Sequence, residues 1–219
     1  MLQWVWDAAT KSELFDEVAF AIDAHETAHL IDSFGGKYFM TSPDCLSGTD
    51  RLIELQQRGD LKGDIWVNFQ GDEPFIHREM MEDLLCIVKR KTSDIYSLKK
   101  RIYSRVMVDD PHIVKVVTDA KERALYFSRS PIPYYREICD FDRMAYYKHI
   151  GIYAFTQAAL SKIATLSPTC LEHVEQLEQL RFLEYGLSIQ LHNTEHDSFS
   201  IDLPRDLTRA LERIYNHTS

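Results

Sequence analysis

The chain has 219 residues, of which 45% are hydrophobic and 27% are charged, and its formal net charge is −9. This composition is typical of a globular domain with a substantial core. The negative charge argues against a general nucleic-acid binder, which needs a basic face, although a few basic groups and a divalent cation could still bind a nucleotide. The sequence has no apolar run of membrane-spanning length and no signal peptide, so we expect no membrane partner.

The cysteines are scattered along the sequence and form no C-x-x-C pair. They are Cys45, Cys86, Cys139 and Cys170. This spacing argues against a zinc or redox motif and predicts reduced thiols in a cytoplasmic protein.

The first third of the chain predicts alternating helices and strands. Apolar residues at helical spacing indicate that the sequence opens inside a helix, residues 2–9. The elements that follow are predicted as strand 17–22, helix 26–34, strand 37–40, a polar loop 41–50 and a helix from about residue 51. This order is typical of a doubly wound α/β domain.

The entrance of that last helix carries Ser47, Gly48 and Thr49. Free backbone N–H groups and hydroxyls at a helix N-terminus suit an anion or a polar base. The same residues are also ordinary helix caps, and the sequence leaves both interpretations open.

The stretch at residues 64–76, D-I-W-V-N-F-Q-G-D-E-P-F-I, is the centre of the prediction. Its first half indicates a buried parallel strand, and a polar turn with Gly71, Asp72 and Pro74 follows. Open α/β sheets bind ligands at the carboxyl ends of their strands. A solvated strand-to-helix turn is the alternative, since these are common turn residues. A helix is predicted over residues 77–91.

The middle of the chain is predicted to be rich in strands. They are 95–102, 114–118, 124–128 and 146–155, with a tight turn at 119–123 joining two antiparallel strands. On the last strand, alternation places His149, Gly151, Tyr153 and Phe155 on one face. A polar and aromatic face with a glycine gap suits a ligand, although cross-strand packing would give the same pattern.

One helix is predicted over residues 171–185, capped at its start and ended by Gly186. Its inward stripe is predicted to be Leu171, Val174, Leu177 and Leu180. Glu178 lies at the edge of that stripe and needs a ligand or a partner, for which Arg181 is the ordinary candidate. A strand at 199–201 ending at Asp202 and a helix from Pro204 complete the prediction.

Six motifs in order resemble the 3-deoxy-manno-octulosonate (Kdo) cytidylyltransferases, the CMP-Kdo synthetases. They are S-G-T-D-R at 47–51, N-F-Q-G-D-E-P at 68–74, A-L-Y-F-S-R-S-P-I-P at 124–133, K-H-I-G-I-Y at 148–153, L-E-Q-L-R at 177–181 and D-L-P-R-D-L at 202–207. The resemblance implies a Rossmann-like, doubly wound mixed sheet of the nucleotide-diphospho-sugar transferase type. It also implies one nucleotidyltransferase domain over residues 1–219, with a β-rich dimerisation excursion at about residues 95–155.

The same resemblance implies a reaction, a cofactor and site residues. CTP and Kdo would give CMP-Kdo, for the inner core of lipopolysaccharide, and pyrophosphate, with magnesium as cofactor and a homodimer as the assembly. Asp72 and Asp202 would be the catalytic, magnesium-binding carboxylates, which suits the preference of this ion for carboxylate oxygen. The nucleotide-binding residues would be Ser47, Gly48, Arg51 and Gln70. The sugar-binding residues would be Gln70, Arg129, His149, Tyr153, Glu178 and Gln179.

The amino terminus departs from the family pattern. The family begins with a strand and a Gly-rich loop carrying Arg and Lys, which holds the triphosphate, and we expect Met1 to align just after it. On this reading the sequence is a truncated form, its sheet exposes two strand edges and a strip of core, and residues 1–219 alone show little or no turnover. The alternatives are a cytidylyltransferase for another acid sugar (an N-acylneuraminate or 8-amino-Kdo) and a non-catalytic binding or dimerising protein.

Overall fold

The computed structural model describes residues 1–136 and 145–197. Its helices are α1 Leu2–Lys11, α2 His25–Asp32, α3 Gly48–Arg58, α4 Arg78–Val88, α5 Arg105–Asp109, α6 Gln157–Ile163, α7 Cys170–Glu175 and α8 Glu178–Glu184. Its strands are β1 Phe20–Ile22, β2 Tyr38–Met40, β3 Ile65–Asn68, β4 Ile95–Ile102, β5 Lys115–Thr118, β6 Ala124–Ser128, β7 Tyr146–Thr156 and β8 Ile189–Asn193. The predicted strand 199–201, the helix from Pro204, Asp202 and Cys139 lie outside the described residues.

The long strand β7 organises a six-stranded mixed sheet. One edge of β7 pairs antiparallel with β4, which pairs in parallel with β8. The other edge is shared, because its beginning pairs with β5 at Lys148 and its end pairs with β3 from Tyr153 to Thr156. β5 and β6 form the antiparallel hairpin that the turn at 119–123 predicts. Strands β4 and β7, at the two ends of the range 95–155, therefore lie inside the main sheet.

Helices cover both faces of this sheet, and the alternation along β7 decides which residues face which layer. Ile150, Ile152 and Ala154 pack with residues of α4 and with Val5 of α1. Tyr153 and Phe155 pack on the other face with residues of α3, α6 and α8. The mixed α/β fold and the predicted faces of this strand are confirmed.

The first two strands form a separate parallel pair with a small core of its own. β1 pairs with β2, and Ile22, Ala28 and Ile31 are buried beneath them. Among the described residues, β1 pairs only with β2, and β3 pairs only with β7. Each therefore has one edge without a strand partner within residues 1–136 and 145–197.

A cavity of about 640 Å³ with both apolar and polar lining residues, which we call the interstrand cavity, is lined in part by β1 and β3. α1 contributes Val5, Trp6 and Ala9, and α3 contributes Leu52 and Leu55.

The predicted helix over residues 171–185 is wrong, because the chain forms two short helices. Gln176 adopts a left-handed conformation (φ +54°) that ends α7, and α8 begins two residues later. The change of direction leaves Leu171 and Val174 exposed by 37% and 72%, while Leu177 and Leu180 are buried. The predicted inward stripe is therefore correct only in its second half. The sequence analysis also omits α5, α6 and β8.

Of the described residues, none form a helix long and apolar enough to cross a membrane. Cys45, Cys86 and Cys170 are free thiols.

Candidate active site

The carboxyl ends of three parallel strands share one edge of the sheet. β3, β4 and β8 run in the same direction, because β3 and β4 are both antiparallel to β7 and β8 is parallel to β4. The loop after β3 carries Gln70, Gly71, Asp72 and Glu73 at this edge, closed by a hydrogen bond from the Glu73 N–H to the Gln70 carbonyl (3.2 Å). Asp72 is half-buried. This edge is the expected ligand side of an open α/β sheet.

The start of α3 lies directly against the end of β3. A Cβ atom at Gly48 would come within 2.9 Å of Asn68 Nδ2, so a larger residue here would have to displace the Asn68 side chain. The helix begins at Gly48, three residues before the predicted start, because Ser47 and Asp50 form a capping box. Asp50 accepts the N–H groups of Leu46 and Ser47 (both 3.1 Å), and Ser47 Oγ accepts that of Asp50. The cap interpretation is thus correct, and three of these N–H groups are already used within the protein.

The same helix entrance also holds a carboxylate from the other end of the chain. Ser47 Oγ donates to Glu178 Oε1 (2.8 Å), and Thr49 Oγ1 donates to Glu178 Oε2 (2.7 Å). Arg181 Nη2 donates to Glu178 Oε1 (3.0 Å), as the sequence predicts for the ordinary partner. Burial raises the pKa of Glu178, and the two hydroxyl hydrogen bonds oppose that rise.

His149 and Tyr153 on β7 continue this polar surface. Ser97 Oγ lies 3.0 Å from His149 Nε2 and also donates to the carbonyl groups of Ile150 and Ile152 (3.0 and 2.8 Å). Burial lowers the pKa of His149 to about 3, so the ring is neutral near pH 7. The rings of His149 and Tyr153 have centroids 5.3 Å apart.

Tyr153 lies between the His149 imidazole and the Glu178 carboxylate. Its pKa is raised well above the usual value, first by burial and second by the charge of Glu178. We call the set Ser47, Thr49, His149, Tyr153, Glu178 and Arg181 the polar wall. It joins α3, β7 and α8 beside the edge of the sheet.

The loop after β3 reaches this wall through Glu73. A Cβ atom at Gly151 would lie 3.5 Å from Glu73 Oε1, so the carboxylate lies over the glycine gap of β7. The β7 pairing with β4 is irregular at the same place, between the pairs Ser97–Tyr153 and Leu98–Ile150. A bulge of this kind re-aims side chains and is frequent beside active sites.

Arg129 is held by backbone acceptors. Its Nε donates to the Glu175 carbonyl (2.8 Å), and its Nη1 donates to the Pro111 carbonyl (3.1 Å). Its own N–H donates to Glu175 Oε2 (2.9 Å). Two residues earlier, Phe127 packs edge-on against the His149 ring (5.0 Å between centroids), which brings this strand end to the same side of the sheet as His149.

Arg51 connects the small β1–β2 sheet to α3. Its Nη2 donates to Asp23 Oδ2 (2.8 Å), and its Nη1 donates to Thr41 Oγ1 (2.6 Å). The hydrogen bond from Arg51 holds the pKa of Asp23 below its usual value. Arg51, Gly48 and Gln70 also line the interstrand cavity.

The structure therefore brings together a large part of the predicted set. Ser47, His149, Tyr153 and Glu178 form one connected wall, and Gln179 is buried (6% exposed) next to Glu178. Thr49 is among the helix-entrance residues that the sequence offers for a ligand, whereas Glu73 is not predicted as a site residue although it lies inside a quoted motif. The sequence analysis also missed Ser97, whose signal is a lone hydroxyl in the first, apolar half of β4.

Known proteins resemble this chain along nearly its whole length. The family model described as Cytidylyltransferase matches residues 1–189. A 3-deoxy-manno-octulosonate cytidylyltransferase of Thermodesulfovibrio yellowstonii is 44% identical over 219 residues, which cover 96% of this chain and 86% of the relative. The chain belongs to the 3-deoxy-manno-octulosonate cytidylyltransferase family.

Two further comparisons bear on the site of this cytidylyltransferase-family chain. A solved CMP:2-keto-3-deoxy-manno-octonic acid synthetase complexed with CTP superimposes with a TM-score of 0.91 and 34% identity, covering 99% of this chain and 88% of the other. An 8-amino-3,8-dideoxy-manno-octulosonate cytidylyltransferase of Shewanella baltica is 36% identical, covering 98% of this chain and 87% of the relative.

Proposed function

We propose that this protein transfers CMP from CTP to the anomeric hydroxyl of Kdo and releases pyrophosphate. The observation that carries the proposal is the polar wall, which stands beside the carboxyl edge of the sheet in a fold that matches a CTP-bound relative at a TM-score of 0.91. Hydroxyl, imidazole and carboxylate groups converge there from α3, β7 and α8. Such a set suits a ligand with many hydroxyl groups.

The roles proposed for the residues follow their chemistry. Neutral His149 and protonated Tyr153 can exchange hydrogen bonds with sugar hydroxyls without adding charge. Glu178 accepts hydroxyl donors, and the Arg129 guanidinium suits the sugar carboxylate. Ser47, Gly48, Arg51 and Gln70 are assigned to the nucleotide, with Gln70 also facing the sugar, and Gln179 is assigned to the sugar.

The chemistry proposed is an in-line displacement at the α-phosphorus. The anomeric oxygen of Kdo forms a bond to phosphorus, the bond to the pyrophosphate oxygen breaks, and the proton of the hydroxyl leaves to solvent or phosphate. The protein residues contribute chiefly by holding the two substrates in line. Asp72, Glu73 and Gln70 present carboxylate and amide oxygens at one loop, which fits the donor preference of magnesium. Magnesium at Asp72 and Asp202 would neutralise phosphate charge and lower the pKa of the attacking hydroxyl.

In the enzyme with its natural amino terminus, Asp72→Asn should reduce turnover by at least about a hundredfold, since each tenfold corresponds to about 1.4 kcal/mol of lost transition-state stabilisation. The measurement is pyrophosphate release with CTP, Kdo and magnesium. Because the loop side chain is polar and half-buried, the urea midpoint should stay close to that of the native chain. Near-native turnover in Asp72→Asn would refute the metal assignment.

A second acid sugar is a specific alternative, because the chain is also 36% identical to an 8-amino-3,8-dideoxy-manno-octulosonate enzyme. Pyrophosphate release measured with CTP and Kdo, its 8-amino analogue or an N-acylneuraminate distinguishes these substrates. We expect the highest kcat/KM with Kdo. CTP binding without release from any of them would favour the non-catalytic alternative.

We also propose that the protein acts as a cytoplasmic homodimer that supplies CMP-Kdo for lipopolysaccharide synthesis. Support for the dimer comes from the apolar side chains exposed within the range 95–155, where Val106, Leu125 and Tyr134 are 80%, 61% and 88% exposed. Light scattering of the native protein and of Val106→Asp tests this. A native monomer would refute the dimer.

A further inference from the structure

A pair of imidazoles and a carboxylate meet outside the polar wall. His77 precedes α4, Glu79 lies in its first turn, and His196 follows β8. Their candidate ligand atoms all lie within 4.8 Å of one another. The two imidazole centroids are 5.5 Å apart, with their planes inclined at 38°. Two separate parts of the chain thus converge on one point.

The backbone that carries His77 is fixed by the core. Met80 and Met81 are fully buried, and their N–H groups donate to the His77 carbonyl (3.1 and 3.4 Å). The His77 side chain forms no capping hydrogen bond with the helix. Its ring is therefore placed by a rigid helix start rather than by a loop.

The backbone that carries His196 is fixed on both sides as well. The Thr194 N–H donates to the Lys99 carbonyl (3.0 Å), and the His196 N–H donates to Thr194 Oγ1 (3.3 Å). On the other side, Asp197 pairs with Lys148 and lies 3.7 Å from Lys100 Nζ.

These ion pairs also decide the charge around the cluster. Two ammonium groups, those of Lys148 and Lys100, lie beside Asp197, and its carboxylate offsets one of their two positive charges. Glu79 supplies a negative charge at the N-terminus of α4, where the helix dipole alone would oppose a cation. The cluster can therefore hold a divalent cation, because Glu79 provides a negative charge within it and the Lys148 ammonium is paired with Asp197.

We propose that His77, Glu79 and His196 bind a divalent transition metal, with zinc as the best fit. Imidazole nitrogen and carboxylate oxygen are the ligands of three-residue zinc sites that leave a fourth position to water. Magnesium prefers an all-oxygen shell, so this site is chemically distinct from one at Asp72. With metal–ligand bonds of about 2.1 Å, a tetrahedral site needs ligand atoms about 3.4 Å apart. The ligand atoms must therefore come closer together than the present limit of 4.8 Å. The exposed Glu79 side chain can supply most of this movement by changing rotamer.

A metal here would cross-link two segments that lead to the predicted catalytic carboxylates. His77 is five residues after Asp72, and His196 is six residues before Asp202. The ion would act as a structural tie between the start of α4 and the segment after β8.

The test measures zinc binding to the native protein in excess magnesium. After dialysis against metal-free buffer and loading with zinc, the protein should retain about one zinc per chain. At zinc a hundredfold above Kd, Tm should rise by about 5–10 °C. His77→Ala and His196→Ala should each weaken zinc binding by at least about tenfold and lose this rise.

His29→Ala, an exposed histidine on α2, is the matched control and should bind zinc like the native chain. Asp72→Asn separates this site from the proposed magnesium site and should also retain zinc. If an alanine variant fails to fold, Glu79→Gln and His196→Gln test the same ligands with closer shape. The proposal is overturned if the native protein retains no zinc, or if the His77→Ala/His196→Ala double variant binds zinc as well as the His29→Ala control.

Discussion

The polar wall and the interstrand cavity are neighbours that are built in opposite ways. In the wall, Glu178 accepts three side-chain hydrogen bonds, and His149 is wedged between Ser97, Phe127 and Tyr153. The cavity, in contrast, has a volume of about 640 Å³ and a mainly apolar lining, to which the small β1–β2 sheet and strand β3 of the large sheet both contribute. Helix α3 contributes to both: Thr49 belongs to the wall, and Gly48, Arg51, Leu52 and Leu55 line the cavity.

The contrast shows that the two regions obtain their order from different sources. The wall is held by directional contacts between elements far apart in sequence, so it is preorganised before a ligand arrives. Side chains that line a cavity lack contact atoms on one side and contribute less dispersion energy. Substitutions in the two regions should therefore have measurably different consequences.

The largest expected difference concerns two buried leucines. Leu160 of α6 is 0% exposed within the packed core, whereas Leu55 of α3 is 1% exposed and lines the cavity. Leu160→Ala should lower the free energy of unfolding by about 3–4 kcal/mol, because it opens a new cavity in close packing. Leu55→Ala should cost only about 1–2 kcal/mol, since one side of that residue already lacks neighbours. Urea denaturation measures both, and equal losses would contradict the contrast.

The next effect concerns the carboxylate at the centre of the wall. Glu178→Ala leaves Arg181 and two hydroxyl groups without their acceptor and should lower the free energy of unfolding by about 2–3 kcal/mol. Glu178→Gln keeps the shape and one acceptor oxygen and should cost about 1 kcal/mol. The urea midpoints of the two variants give the comparison. A loss in Glu178→Ala no larger than in Glu178→Gln would show that the wall is not tied by this group.

A smaller effect depends on pH. Because the folded protein lowers the pKa of His149 to about 3, the unfolded chain binds more protons at that residue below about pH 6.5. Its contribution to stability is therefore complete above pH 6.5 and is lost as the pH falls towards 3. Between pH 7 and pH 5 this residue should account for about 1 kcal/mol, after allowance for its partial exposure.

The variant His149→Gln isolates the contribution of this imidazole to the pH dependence of stability. The free energy of unfolding of the native chain should fall by about 1 kcal/mol more than that of the variant over the same two pH values. Equal pH dependence in the two proteins would mean that the imidazole is protonated in the folded state.

The smallest effect is expected from replacing helix N-cap residues, one of which belongs to the polar wall while the other does not. Ser47 caps α3, and Thr156 caps α6 by accepting the Ala159 N–H (3.1 Å). Replacing either residue by alanine should cost about 1 kcal/mol. Ser47→Ala alone should also raise KM for CTP, because its hydroxyl orients Glu178 and faces the proposed nucleotide site. A similar KM change in Thr156→Ala would attribute the effect to stability instead.

The local parts of the wall are predictable from sequence because they follow short-range rules. Alternation along β7 correctly separates His149 and Tyr153 from Ile150 and Ile152. The position of Glu178 beside an apolar stripe correctly predicts that the carboxylate needs a partner. The motifs predict the family, which the comparisons confirm.

The failures arise where distant contacts decide local conformation. Nothing within residues 171–185 forces a break, yet Gln176 turns left-handed, and the two helices change direction there. Thr49 and Glu178 are 129 residues apart, so no local pattern predicts that they share a hydrogen bond. The start of α3 was misplaced because the capping box at Ser47 outweighs the polar character of the next three residues.

The hydrogen bonds of Arg51, which we call the Arg51 clasp, have a consequence for local opening of the small β1–β2 sheet. One guanidinium joins Asp23 and Thr41, at the ends of the small parallel sheet, to helix α3. That sheet has its own compact core, in which Ile31 is completely buried. A unit with a separate core can open without disturbing its neighbours. Amide protons of β1 and β2 should therefore exchange with solvent as a group, earlier than those of β4 and β7, and the clasp sets the frequency of that opening.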